Sequence, residues 1–172
     1  MTALEQDHIE QLRASGLTDQ TMTAARLYSA ANTAIADVLG WQPKECDWGK
    51  GLVIPYFEPD GSENCYKRVR LDFPRHRKTG EPIKYESPLK ADNRAYFPPG
   101  ISVTLADVSR PLLITEGEKK ALKATQDGFP CIGLTGVWGW QERRNRDDHG
   151  RAFGARKMLD DLARIDWKGR EV

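Results

Sequence analysis

LLITEGEKKALKATQDGFPCIGLTGVWGW, residues 112–140, is the stretch on which the reading of this chain turns. It opens with a short apolar run, residues 112–115, of the length of a buried strand. Glu116-Gly117 follows. Residues 118–126 then carry Ala121, Leu122 and Ala124 or Thr125 on one helical face, and Asp127-Gly128 closes that helix. Residues 131–134 make a second apolar run, and Gly133, Gly136 and Gly139 make the loop after it permissive. Strand, helix and strand in so short a span predict a βαβ unit with parallel strands. Glu116 then stands at the carboxyl end of the first strand, where open α/β sheets collect their ligands. The competing explanation is electrostatic. A carboxylate near a helix N-terminus gains about 0.3–1 kcal/mol from the macrodipole, and Glu118 is placed to do the same.

Downstream, residues 153–165 suggest an amphipathic helix with Phe153, Met158, Leu159, Leu162 and Ile165 as its stripe. RIDWKGREV, residues 164–172, then reads as a helix end, a turn and the first residues of a third strand. Upstream, residues 52–57 and 65–73 are strand-like, and Pro59-Asp60-Gly61 between them predicts a hairpin. Alternation in its second arm puts Cys65, Lys67, Val69 and Leu71 on one face and Tyr66, Arg68, Arg70 and Asp72 on the other. Residues 74–100 read as loop, with PIKYESP and RAYFPP as strand pieces. Residues 4–39 read as helical. Ser15-Gly16 breaks them, Thr18 caps a second helix, and Gly40 is the stop. The fold class is therefore α+β in three parts: a helical lobe over 1–45, a β-rich basic subdomain over 46–108, and a partial α/β domain with parallel strands over 109–172.

A net charge of +1 excludes a global field for nucleic acid, but residues 66–94 hold nine Lys or Arg against four Asp or Glu. A local patch of that kind can bind phosphates in a nearly neutral chain. No apolar run approaches the roughly 18 residues of a membrane span. The N-terminal stretch lacks a signal-peptide block, so a cytoplasmic location is expected. Cys46, Cys65 and Cys131 are widely spaced and form no CxxC pair, which argues against a disulfide framework and a zinc site.

The 112–140 stretch resembles the opening of a TOPRIM domain, the metal-dependent fold of bacterial-type primases and topoisomerases. Glu116 matches that family's glutamate, Gly117 the glycine after it, and residues 133–136, with Gly133 and Gly136, the loop after its second strand. The Thr-Glu-Gly-Glu-Lys-Lys-Ala variant is similar to primase-like replication proteins of phages, plasmids and other mobile elements. The middle segment agrees with it. Replicative primases carry a strand, an Asp-x-x-Gly turn, a strand ending in Arg, and a Lys-Tyr-x-x-Ser-Pro stretch. Here GLVIPYFEPDG, YKRVRL, KYESP and RAYFPP follow in that order. The resemblance implies template or nucleotide-phosphate contacts at Arg70 and Lys84, with Arg68 and Arg94 as weaker candidates. Tyr66, Tyr85 or Tyr96 are placed as candidates to stack on unpaired bases. Single-stranded DNA and nucleotides are the implied partners, and a helicase in the same parent chain or replisome is a further one.

The family holds Mg²⁺ between this glutamate and an Asp-x-Asp at the end of its third strand. No Asp-x-Asp occurs here. Asp147-Asp148 lies in a charged loop. Asp160-Asp161 falls in a predicted helix, where neighbours diverge by about 100°. Glu116 alone makes an incomplete metal site and should hold Mg²⁺ poorly. The expectation is a fragment truncated within TOPRIM, with Mg²⁺-dependent nucleotidyl transfer reserved for a longer parent. A naturally short inactive relative, a non-catalytic nucleic-acid or replisome-binding module, and a TOPRIM nuclease relative are the alternatives. Trp138 and Trp140 have no assigned role at this level.

Overall fold

The computed structural model describes residues 3–42 and 48–172; Cys46 and the expected boundary at 45/46 lie outside them. Helix α1, Gln6–Ala14, turns His8 and Leu12 inward. It ends at Ser15-Gly16 as expected, and Thr18 caps α2, Asp19–Ala24, by accepting the Thr21 amide at 3.2 Å. The expected run of helix up to residue 39 is then interrupted. Arg26 takes a left-handed φ of 51°. Its amide donates to Thr23 O at 3.0 Å and the Leu27 amide to Met22 O at 3.1 Å. These two bonds make a Schellman end, built on arginine where glycine is usual. The chain leaves it extended as β1, Tyr28–Ala31. Helix α3, Asn32–Leu39, follows and stops at Gly40.

Strands β2, Lys50–Phe57, and β3, Glu63–Leu71, form the predicted hairpin. The Glu58 amide donates to Ser62 O at 2.7 Å and Asp60 Oδ1 accepts the Ser62 amide at 2.8 Å, which fixes the turn. β1 pairs antiparallel with β2, Tyr28 opposite Val53 and Ala31 opposite Lys50, giving the order β1-β2-β3. Pro55 lies past the end of that ladder, where a missing N–H costs least. Alternation in β3 works as predicted on its inner face. Val69 and Leu71 enter a core with Ile35, Leu39, Trp48 and Val53. His8 ties α1 to the sheet, its ring nitrogens 2.7 Å from Ser29 Oγ and 3.0 Å from Asp72 Oδ1. PIKYESP is not a strand. Glu86 exchanges backbone hydrogen bonds with Val69, at 3.0 and 2.8 Å, as an isolated bridge.

The chain divides into two compact units, Met1–Tyr56 with Glu63–Ala91, and Phe57–Ser62 with Asp92–Val172. The helices and the hairpin arms thus share the first unit, where the sequence reading draws a boundary between 1–45 and 46–108. The hairpin tip belongs to the second.

In the second unit β4, Leu113–Glu116, α5, Glu118–Gln126, and β5, Cys131–Leu134, realise the predicted strand-helix-strand. The strands are parallel, Leu113 opposite Cys131 and Glu116 opposite Leu134. RAYFPP contributes one bridge, Tyr96 to Gly133, on the other edge of β5. Leu112, Ile132, Phe97, Ile101, Leu159, Leu162 and Ile165 form the core, with Trp140 and Trp167 against it. A short α4, Ser102–Leu105, has its terminal carbonyls closed by Arg170. That guanidinium donates to Thr104 O at 3.1 Å, Leu105 O at 3.0 Å and Arg110 O at 2.9 Å.

The helix expected over 153–165 is corrected to α6, Asp160–Ala163. Phe153 instead belongs to β7, Ala152–Phe153, which pairs antiparallel with β6, Asn145–Arg146. Asp147 holds the turn between them. It accepts the His149 and Arg151 amides at 3.0 and 2.8 Å and pairs with Arg151 Nε at 2.8 Å. Gly154, at φ 86°, then turns the chain. Phe153 and Met158 are exposed, so only Leu159, Leu162 and Ile165 of the predicted stripe reach the core. Among the described residues no helix is long and apolar enough to cross a membrane.

Cys131 is fully buried, and burial pushes its thiol up to about 11 from an ordinary 9.0. The thiolate is the reactive form. Iodoacetamide at mildly alkaline pH should therefore label exposed Cys65 and spare Cys131 until the chain is unfolded, as read by peptide mass spectrometry. The sign of the linked stability follows. Between pH 9.0 and about 11 the unfolded thiol loses its proton while the folded one keeps it, so stability falls with rising pH across that window.

Candidate functional site

Glu116 closes β4, where its sequence position predicts it, and is exposed. The turn beneath it depends on two glycines. Gly117 caps α5 at φ 93°, a backbone state that side chains rarely adopt, and its amide donates to Leu134 O at 2.8 Å. Gly133 sits where space is tight. A Cβ there would lie 3.2 Å from Gly117 O, 3.2 Å from Tyr96 Cβ and 3.3 Å from Ala121 Cβ. The strand-to-helix turn, the helix and the next strand thus meet so closely that a Cβ would require a neighbour to give by a few tenths of an ångström. Gly136 lies in the loop after β5, as expected.

Glu118, two residues on, is 2 % exposed in the first turn of α5. It faces a different environment from Glu116. Tyr96 is fully buried, and its pKa is raised strongly, first by burial and then by the Glu118 charge. The phenol stays neutral. Tyr96 is therefore withdrawn as a base-stacking candidate, because no base can reach it.

Among the described residues no strand pairs with the second edge of β4. The Leu113 amide donates to Pro130 O at 2.8 Å, toward β5, so by alternation the Leu112 amide points the other way. It donates to Glu171 O at 3.0 Å. The segment read as the start of a third strand therefore touches this edge by one hydrogen bond and is not itself a strand. Leu113 and Ile114 remain 45 % and 40 % exposed beside it.

A hard cation such as Mg²⁺ needs several oxygen ligands. Among the described residues no group of three His, Cys, Asp or Glu side chains could hold a metal ion. One aspartate of each acidic pair is engaged elsewhere. Asp147 is held by its own turn and by Arg151, bonds that keep its carboxyl below the usual range. Asp161 accepts Arg94 Nε at 2.7 Å and the Ala95 amide at 3.0 Å.

The basic segment is sorted by its partners. Arg94 donates to Asp161 at 2.7 Å and, through Nη2, to Glu58 at 2.8 Å; Glu58 also takes Arg164 at 3.2 Å. Its charge is already matched, so Arg94 is set aside as a phosphate contact. Arg75 pairs with buried Glu86 at 2.8 Å and covers the Trp41 ring at 4.4 Å. Arg68 covers the Tyr85 ring at 5.2 Å. Arg70 is half-buried on the same β3 face as Arg68, and Lys84 is exposed one residue before Tyr85. Among the described residues neither Arg70 nor Lys84 is in an ion pair. Tyr66, also on this face, meets Tyr56 edge-on at 4.7 Å. Arg68, Arg70, Lys84, Tyr66 and Tyr85 thus belong to the first unit, and Glu116 and Arg94 to the second.

One feature escaped the sequence reading. Arg143, Arg144, Arg146 and Arg156 line a cavity of about 500 Å³ together with Trp138. Its signal in the sequence is the run ERRNR, residues 142–146. Trp138 and Trp140 also separate in role, since Trp140 packs on the core and Trp138 is 61 % exposed.

Comparison with known proteins gives one match. A family model described as a domain of unknown function, DUF3854, matches residues 102–172, less than half of the chain and the part that contains Glu116, Gly117, Gly133 and Gly136. No curated protein and no solved structure matches the chain.

Proposed function

We propose that this chain is part of a primase-like replication protein and that it binds single-stranded DNA or nucleotide phosphates through the Arg70–Lys84 face of its first unit. The observation that carries this reading is that Arg70 and Lys84 have no carboxylate partner among the described residues, on the two segments that also carry the half-buried Tyr66 and Tyr85. Cations neutralise phosphates, and aromatic faces accept unpaired bases. The TOPRIM-like reading of the second unit is supported by the parallel β4–β5 pair, by Glu116 at its carboxyl end, and by the two glycines of the turn.

The second edge of β4, with Glu171 already hydrogen-bonded to Leu112, supports a further part of the reading. In a longer parent a third strand would lie along that edge and bring more carboxylates toward Glu116. Metal-dependent nucleotidyl transfer is proposed for such a parent alone. A second reading, a non-catalytic binding module, is favoured by the carboxylates that are spent on Arg94 and Arg151. Both readings share the binding step. A fluorescent oligo-dT should bind with an affinity that falls linearly in log–log against salt, and duplex DNA should compete poorly. Salt-independent binding, or none, rejects the proposal.

A further inference from the structure

The cavity of about 500 Å³ in the second unit is lined mainly by cationic and polar side chains. Arg143, Arg144, Arg146 and Arg156 line it, against a single carboxylate, Glu142. None of the four arginines makes an ion pair among the described residues, in contrast to Arg94 and Arg151. Arg144 and Arg146 donate to neutral backbone carbonyls, Ala152 O at 3.2 Å and Gly150 O at 2.6 Å, which hold them on the β6–β7 hairpin without cancelling their charge. Arg144 Nε and Gln141 Oε1 are buried atoms of the same wall with no hydrogen-bond partner. Buried polar atoms in that condition normally have a partner. Trp138 stands in the lining, 61 % exposed, with the Arg156 guanidinium 5.0 Å from its ring centroid.

An exposed indole in a wall of unmatched guanidinium groups suits one class of ligand. Guanidinium groups grip phosphate bidentately, and an indole stacks on a planar heterocycle. A simple inorganic anion would leave the tryptophan unexplained, and an apolar ligand would leave the arginines so. We propose that this pocket binds a nucleotide unit, its base stacked on Trp138 and its phosphate held by the surrounding arginines. The ligand chemistry is a base carrying phosphate, whether as a free nucleoside triphosphate or as one residue of a single strand. The inference stands on the second unit alone and does not depend on the Arg70–Lys84 face.

The test uses the 172-residue chain with three probes, ATP, inorganic triphosphate and a fluorescent dT dodecamer, by calorimetry and anisotropy. Trp138→Ala should weaken ATP or the dodecamer about tenfold, and Trp138→Phe should keep most of the affinity. Arg143→Ala with Arg156→Ala should weaken binding and flatten its salt dependence. Competition between ATP and the dodecamer assigns the pocket to the strand path; independent binding of ATP assigns it to a free nucleotide. Either supports the proposal. It is overturned if neither ATP nor the dodecamer binds, if Trp138→Ala leaves both unchanged, or if inorganic triphosphate binds as tightly as ATP. Loss of dodecamer binding in Arg70→Ala with Lys84→Ala, with the Trp138 effect on ATP intact, separates the two sites.

Discussion

Asp161→Ala is expected to lower the stability of the second unit by about 3–5 kcal/mol, the largest single-residue effect foreseen here. The Asp161 side chain is 4 % exposed and joins α6 to the 92–97 segment. It accepts Arg94 Nε at 2.7 Å and the Ala95 amide at 3.0 Å, so its removal leaves a buried donor without its acceptor and a part-buried cation with Glu58 alone. Burial disfavours the Arg94 charge, yet its bonds to Asp161 and Glu58 outweigh that and its pKa is raised. Asp161→Asn keeps an acceptor for the amide and should cost less, about 1–3 kcal/mol. Urea unfolding should show the alanine midpoint displaced with the slope preserved. A shift worth under about 1 kcal/mol would mean that the network is ornamental to the fold.

Arg70→Ala combined with Lys84→Ala is expected to weaken single-strand binding at least tenfold at low salt, with the fold intact. Two lost phosphate contacts should reduce the log–log salt slope by about 1.4, at roughly 0.7 per contact on single strands. The stability of the double variant should stay close to that of the parent, because among the described residues neither side chain is in an ion pair, and Lys84 is exposed. Arg75→Ala is the natural contrast. It leaves Glu86 buried without its partner and should cost stability while sparing the salt slope. An unchanged slope in the double variant would remove the proposed phosphate contacts.

Much of the local structure was legible because its causes are local. Thr18, Gly40, Pro59-Asp60-Gly61 and the Glu116-Gly117 turn each place a backbone feature by their own chemistry. Strand β1 was hidden because the αL position that ends α2 carries Arg26, a residue that gives no glycine signal. Residues 153–165 carried a helical stripe, but the Asp147 turn and Gly154 overrode it with a hairpin. The candidate site was legible only as a list of cations. A charge count cannot tell Arg94 and Arg75, which are matched by carboxylates brought from 36 and 11 residues away, from Arg70 and Lys84, which are not. For the same reason Tyr96 looked equivalent to Tyr66 and Tyr85, although the Gly133 bridge buries it completely.

The most direct measurement is photo-crosslinking of an iododeoxyuridine-substituted oligo-dT to the chain, with the adducts mapped by mass spectrometry. Adducts should concentrate on peptides of the β3–Tyr85 face, at Tyr66 or Tyr85, and should fall away in Arg70→Ala with Lys84→Ala. Adducts confined to α1–α3, or unaffected by that substitution, would contradict the account.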